Sequence, residues 1–137
     1  MKKPMIVEKE IPIMAYDIDV MGIVSNTVYV RWFEDLRHIL LEDLYPYREM
    51  IESNQSPILI RTEVDYKLPL TIYDLPIGRC WMTSIGKSRW ELGFEIVSPK
   101  AVHCLGRQVG CFYDMDKQRP IPLPKKIVTA FERGTEH

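Results

Sequence analysis

The stretch that decides how this chain folds runs from Tyr16 to Leu36, YDIDVMGIVSNTVYVRWFEDL. Residues 17–26, DIDVMGIVSN, are polar at their start, contain a glycine and read as a loop. Ser25 or Asn26 then offers a side-chain oxygen to the free N–H groups of a helix start. From there Val28, Tyr29, Trp32, Phe33, Leu36, Ile39, Leu40 and Leu44 recur at helical spacing. Arg31, Glu34, Asp35, Arg37, Glu42 and Asp43 take the opposite face, so the helix buries one stripe and wets the other. Pro46 ends or kinks it near Tyr45, since proline disfavours the helical conformation of the residue before it.

Upstream, Ile11, Ile13 and Ala15 alternate with Pro12, Met14 and Tyr16, which predicts a strand over Ile6–Tyr16. Pro12 lacks an N–H and places that strand at a sheet edge or at a bulge. Downstream the period changes to two. Ile58, Ile60, Thr62, Val64, Tyr66 and Leu68 share one face of a long strand, and Leu59, Arg61, Glu63, Asp65 and Lys67 share the other. Ile77–Ile85 reads as the next strand, Gly86-Lys87 as a turn, and Trp90, Leu92, Phe94 and Ile96 as one face of a third. Ser98-Pro99-Lys100 turns the chain into a last strand, Val102–Tyr113. Pro120, Pro122 and Pro124 lead to a short helix around Lys125–Arg133. Met1–Met5 and Gly134–His137 read as loose ends.

Strand, long helix, then a run of antiparallel strands is an α+β order, with the helix covering the apolar face of the sheet. We expect one domain over residues 1–137. The opposite sheet face, to which we assign Cys80, Met82, Val97, Val109 and Cys111, is apolar enough to suggest self-association.

A net charge of −1 gives no basic field, so nucleic acid and anionic membranes are not expected partners. Cys80, Cys104 and Cys111 are odd in number and widely spaced, which fits neither a disulfide framework nor a zinc site. Glu8, Lys9 and Glu10 interrupt the first apolar residues, so neither a signal peptide nor a membrane span is expected, and a reducing cytoplasm is the expected location. No cofactor or metal is expected.

The chemistry concentrates where the loop meets the helix. A helix start carries free N–H groups and partial positive charge, which can polarise a carbonyl and hold an oxyanion. A carboxylate beside it could act as nucleophile or as general base for water. Gly22 lets the loop approach a ligand closely. Aspartates before a helix are, however, most often caps or turn residues.

The sequence D-I-D-V-M-G-I-V-S-N-x-x-Y-V-x-W-F-E resembles the 4-hydroxybenzoyl-CoA thioesterase family of hotdog proteins, through Asp17, Asp19, Gly22, Val24, Asn26, Tyr29, Trp32, Phe33 and Glu34. Val64–Leu70 (VDYKLPL) resembles the family's second strand and following turn, and Gly86-Lys87-Ser88 its central hairpin. The resemblance implies a hotdog fold, a long helix wrapped by a curved antiparallel sheet, assembled as a homodimer or homotetramer with sites between subunits. It implies hydrolysis of an acyl-CoA substrate, with Asp19 as the catalytic carboxylate and the backbone N–H near Asn26 facing the thioester carbonyl. Gly22 and Val24 would adjoin the substrate, Asp17 would shape the loop, and Lys87 and Arg89 would reach the CoA phosphates. The related plant acyl-carrier-protein thioesterases continue with an asparagine and a histidine where this chain has Met21 and Ile23, so their version of the site is absent.

Other residues read more simply. Glu34 is expected to pair with Arg31 or Arg37, and His38 to be exposed. His103 stands without a Ser or Cys partner of triad type nearby in sequence, and Cys104 and Cys111 read as small buried side chains. A non-catalytic acyl-CoA binder on the same fold is the alternative. A dehydratase ranks last, because no histidine precedes His38.

Overall fold

Val28, Tyr29, Trp32, Phe33, Leu36 and Leu40 are all buried, and their helical spacing makes α1 (Asn26–Leu44) the element around which the rest is arranged. The computed structural model describes residues 6–135. Tyr45 leaves the helix in extended conformation, as the following Pro46 requires. Pro46 does more than stop α1, because it also caps a second helix, α2 (Tyr47–Ser53), which the periodicity does not announce. Asn54, with φ 55°, ends α2 in the left-handed conformation that asparagine tolerates better than most residues.

The strands are β1 (Val7–Glu10), β2 (Gln55–Tyr66), β3 (Ile77–Ile85), β4 (Arg89–Ser98), β5 (Ala101–Asp114) and the short β6 (Arg119–Pro120). They form one antiparallel sheet in the order β1-β3-β4-β5-β2, with β6 added to β5. β1 is far shorter than the strand expected over Ile6–Tyr16. It lies at the edge and gives way at Ile11, whose N–H reaches Pro76 O, before Pro12 ends the ladder. Residues 15–17 form a 3-10 turn instead.

The side of the sheet facing α1 carries Gly78, Cys80 and Met82 of β3, Leu92, Phe94 and Ile96 of β4, and Cys104 and Phe112 of β5. The assignment of Cys80 and Met82 to the outer face is therefore corrected. A methyl group on Gly78 would press on Ile11 and Leu36, so it is the Gly78-Cys80-Met82 side of β3 that lets the helix lie close. Bulky Trp81 points the other way and covers Gly93. The alternation in β2 is also interrupted. A bulge between Leu59 and Arg61 takes Ile60 out of the ladder and leaves it 59 % exposed.

The outer face mixes ion pairs with the apolar Trp81, Val109 and Cys111. Arg107 contacts Glu63 and Glu91, and Arg79 contacts Glu8 and Glu95. α3 (Lys125–Thr135) closes the end of the core with Ile127 and continues through Gly134, which was expected to be loose. Met1–Met5, Glu136 and His137 lie outside the described residues. No helix among the described residues is long and apolar enough to cross a membrane.

Candidate active site

Ile18 and Val24 form an antiparallel bridge, so residues 18–24 make a miniature hairpin ahead of α1. The Asp19 N–H donates to Ile23 O at 2.9 Å, and the Gly22 N–H donates to Asp19 O at 3.0 Å. Gly22 has φ 78°, the conformation that closes such a turn and that side chains resist. Asp19 opens the turn, and its Oδ1 accepts the Met21 N–H at 2.8 Å. Its carboxylate is exposed, and Val20 and Met21 beside it stand in solvent.

Asp17 is the opposite case, only 2 % exposed. Its Oδ2 accepts the Met14 N–H at 2.9 Å and its Oδ1 accepts Arg31 Nη2 at 2.6 Å. Its carbonyl accepts the Ser25 N–H at 2.9 Å. One buried carboxylate thus ties the preceding turn to α1 and sets where the helix begins. Removing Arg31 would leave that carboxylate short of a donor. Because Arg31 is itself half exposed, we expect Arg31→Met to destabilise the fold by only about 1–2 kcal/mol in urea unfolding.

Ser25 occupies the cap position with extended backbone, yet its hydroxyl lies 3.3 Å from Thr27 Oγ1 and caps no backbone N–H. The expected side-chain cap is therefore not formed by Ser25, and Asn26 is already inside the helix. Among the described residues no side chain caps the first-turn N–H groups of Asn26 and Thr27, at the base of the hairpin that carries Asp19. Asp19, Gly22, Val24 and Asn26 are thus brought into one short segment.

Lys87 and Arg89 are not brought there within one chain. Their turn is tied to the far end of the sheet, where Leu123 N donates to Lys87 O and Arg89 is paired with Cys111. Phe112 beside them meets Tyr45, just past the C-terminus of α1, at 5.7 Å between rings. A helix of 19 residues separates the two ends by about 28 Å. Two clefts of about 440 and 390 Å³ flank the exposed side of α1. The first is lined by Met14, Asp17 and Arg31 among others, the second by Arg37, His38 and Tyr47, and neither is lined by Asp19.

A model of the Thioesterase-like superfamily matches residues 13–131. The chain belongs to this superfamily.

Its sequence is 27 % identical over 93 residues, 67 % of each chain, to YneP of Bacillus subtilis, whose name proposes an acyl-CoA thioesterase. Its fold is similar to a predicted thioesterase from Bacillus stearothermophilus, with a TM-score of 0.84 and 24 % identity over 94 % of this chain and 96 % of the other. It is also similar to a 1,4-dihydroxy-2-naphthoyl-CoA thioesterase from Synechocystis, with a TM-score of 0.84 and 15 % identity over 96 % and 98 %. These structural likenesses establish the hotdog fold of this superfamily member.

Glu34, His38, Cys104 and Cys111 stand where the sequence predicts. Glu34 lies 4.0 Å from Arg37, while Arg31 turns to Asp17 instead, and His38 is exposed. All three thiols are unpaired and buried. Burial, helped by Asp65, pushes the Cys104 thiol up to about 12, and burial raises Cys80 as well. Neither is a thiolate at neutral pH, so neither is a nucleophile. We expect the native protein to resist iodoacetamide at pH 7 and to react at all three cysteines once unfolded, as counted by mass spectrometry.

His103 corrects the reading of an isolated ring. Its Nε2 lies 2.7 Å from Ser98 Oγ and its Nδ1 3.1 Å from Leu68 O. Ser98 stands only five residues before His103, across the turn expected at Ser98-Pro99-Lys100, and the β4–β5 hairpin, with its irregularity at Ile96/Val97, brings the two together. Tyr66 is the other residue the pattern treats only as part of a strand. Its hydroxyl donates to Asn26 O at 3.0 Å, at the helix start.

Proposed function

We propose that this superfamily member hydrolyses acyl-CoA thioesters at the start of α1, with Asp19 as the reacting carboxylate. The observation that carries this reading is a helix start left without a side-chain cap at the foot of a hairpin that carries an exposed carboxylate. The thioester carbonyl would accept the Asn26 N–H, which develops its strongest interaction as the oxygen becomes an oxyanion. Asp19 then works in one of two ways. As a base it takes a proton from water, whose oxygen attacks the carbonyl carbon. As a nucleophile it attacks that carbon itself, giving a mixed anhydride that water opens. Either way the carbon–sulfur bond breaks, CoA leaves and takes a proton, and a carboxylic acid is the other product. The Met21 N–H holds one Asp19 oxygen in place, and Gly22 and Val24 keep backbone rather than bulk next to the substrate.

The same proposal includes a second copy of the chain. Asp19 lines neither of the two clefts described along α1, and Lys87 and Arg89 could meet the CoA phosphates of this site only from another subunit. A homodimer or homotetramer with sites between subunits is part of this reading. Buried, unpaired thiols support a reducing cytoplasmic location.

One observation favours the alternative of a non-catalytic acyl-CoA binder: Asp19 already has a turn-forming role through Met21. The experiment is to incubate the purified protein with short, long and aromatic acyl-CoAs and acyl-carrier-protein thioesters, and to measure free thiol. Hydrolysis predicts turnover on part of this panel, and the ranking identifies the acyl group. Tight binding without thiol release from any member would establish the binder instead.

A further inference from the structure

We propose that Tyr66 and His103 are positioning residues that aim the first N–H groups of α1 from outside the Asp19 hairpin. This rests on the reading of Asp19 and Asn26 given above.

Beyond the last β2–β5 pair, Tyr66 with Cys104, the chain enters K-L-P-L, where Pro69 has no N–H for a ladder. This short segment runs past the beginning of α1 and holds it at two points. Tyr66 Oη donates to Asn26 O at 3.0 Å, and the Val24 N–H donates to Leu70 O at 2.9 Å.

His103 fixes the segment. The N–H groups of Lys67 and Leu68 both donate to His103 O, at 2.9 and 3.2 Å. The ring continues the contact from the other direction. A carbonyl oxygen only accepts, so Nδ1 carries the hydrogen that reaches Leu68 O. In the neutral ring Nε2 is then the acceptor, and Ser98 Oγ–H fills it at 2.7 Å. At 2 % exposure the ring is buried, so water does not replace either bond.

Three polar or charged residues are buried among those described: Asp17, His103 and Gln108. Gln108 serves Arg37 in the middle of α1. The other two lie on either side of residues 24–26: the Asp17 carboxylate holds Met14 and Arg31 while its main-chain carbonyl accepts the Ser25 N–H, and His103 holds the segment that bonds Val24 and Asn26. A helix could be held over this sheet by its apolar stripe alone. Polar bracing from both sides of its first residue matters where the direction of an N–H decides the rate. An oxyanion donor that is slightly misaimed loses transition-state stabilisation while ground-state binding changes little.

The test measures kcat, KM and melting temperature for acyl-CoA hydrolysis in four variants. Tyr66→Phe deletes one hydroxyl from a half-exposed ring, and we expect kcat to fall about tenfold with KM within about twofold. His103→Asn places an amide nitrogen near the position of Nδ1 and keeps the donor to Leu68 O, so most of kcat should survive. His103→Gln reaches toward Ser98 instead and should lose kcat about as Tyr66→Phe does. If kcat losses simply follow melting temperature, or if Tyr66→Phe and His103→Gln turn over like the wild type while Asp19→Asn is inactive, the positioning role is wrong and the site reading stands. Full activity in Asp19→Asn would overturn the site reading itself, and this inference with it.

Discussion

We expect Asp19→Asn to keep its fold and to lose acyl-CoA turnover by about a factor of 10³, the scale for removal of a reacting base or nucleophile. The substitution is well suited to separating chemistry from structure. The side chain is exposed, so no core packing is lost. Asparagine also keeps an oxygen that can accept the Met21 N–H, and it is at home in turns. What disappears is the negative charge and the lone pair that attacks carbon or accepts a proton. We therefore expect a melting temperature close to wild type and a kcat near the detection limit. A variant that turns over normally would reduce Asp19 to the turn residue that its hydrogen bond alone describes.

The largest expected effect on stability is at Gly110. A methyl group there would overlap both the Trp90 indole and the Ile58 carbonyl oxygen. The indole is itself fixed by donating to Cys111 O at 3.1 Å, and the carbonyl belongs to the neighbouring strand, so neither can give way cheaply. Gly110→Ala should cost on the order of 3 kcal/mol in urea unfolding, at the upper end of overpacking effects. Gly22→Ala is a useful contrast. Nothing lies within 4 Å of a methyl group at Gly22, so its cost comes from φ 78° alone and should be about 1 kcal/mol. If the two variants unfold at the same urea concentration, the close approach of β2, β4 and β5 at Gly110 is wrong.

Much of this architecture is legible in the sequence because periodicity records burial. The stripe from Val28 to Leu40 gives α1 nearly to the residue, and the bounds of β3 are as expected. What the pattern misses has identifiable causes. Pro46 reads as a stop, but it also starts α2, and seven residues are too few for a visible helical period. Alternation gives two faces to β3 but not which one is inside. Gly78 decides that, because only a residue without a side chain admits Ile11 and Leu36 there. Ile60 alternates perfectly on paper and is displaced by a bulge.

The site is partly legible for a similar reason. Asp19, Gly22, Val24 and Asn26 are close in sequence, so their resemblance to a known family survives as a continuous motif. Tyr66 and His103 approach the helix start only through strand pairing. The bond between His103 and Ser98 spans a turn that the sequence shows, but its register is set by an irregularity at Ile96/Val97 that no local pattern fixes. Lys87 and Arg89 show the converse, since a motif-based expectation places them with the substrate while one chain holds them at the far end of the sheet.

The measurement that bears most directly on the central claim is a crystal structure of Asp19→Asn with an intact acyl-CoA bound. The account predicts the thioester carbonyl oxygen within hydrogen-bonding distance of the Asn26 N–H, with the residue 19 side chain facing the carbonyl carbon and a second subunit covering the CoA. A thioester bound instead in either cleft along α1, away from residue 19, would contradict it.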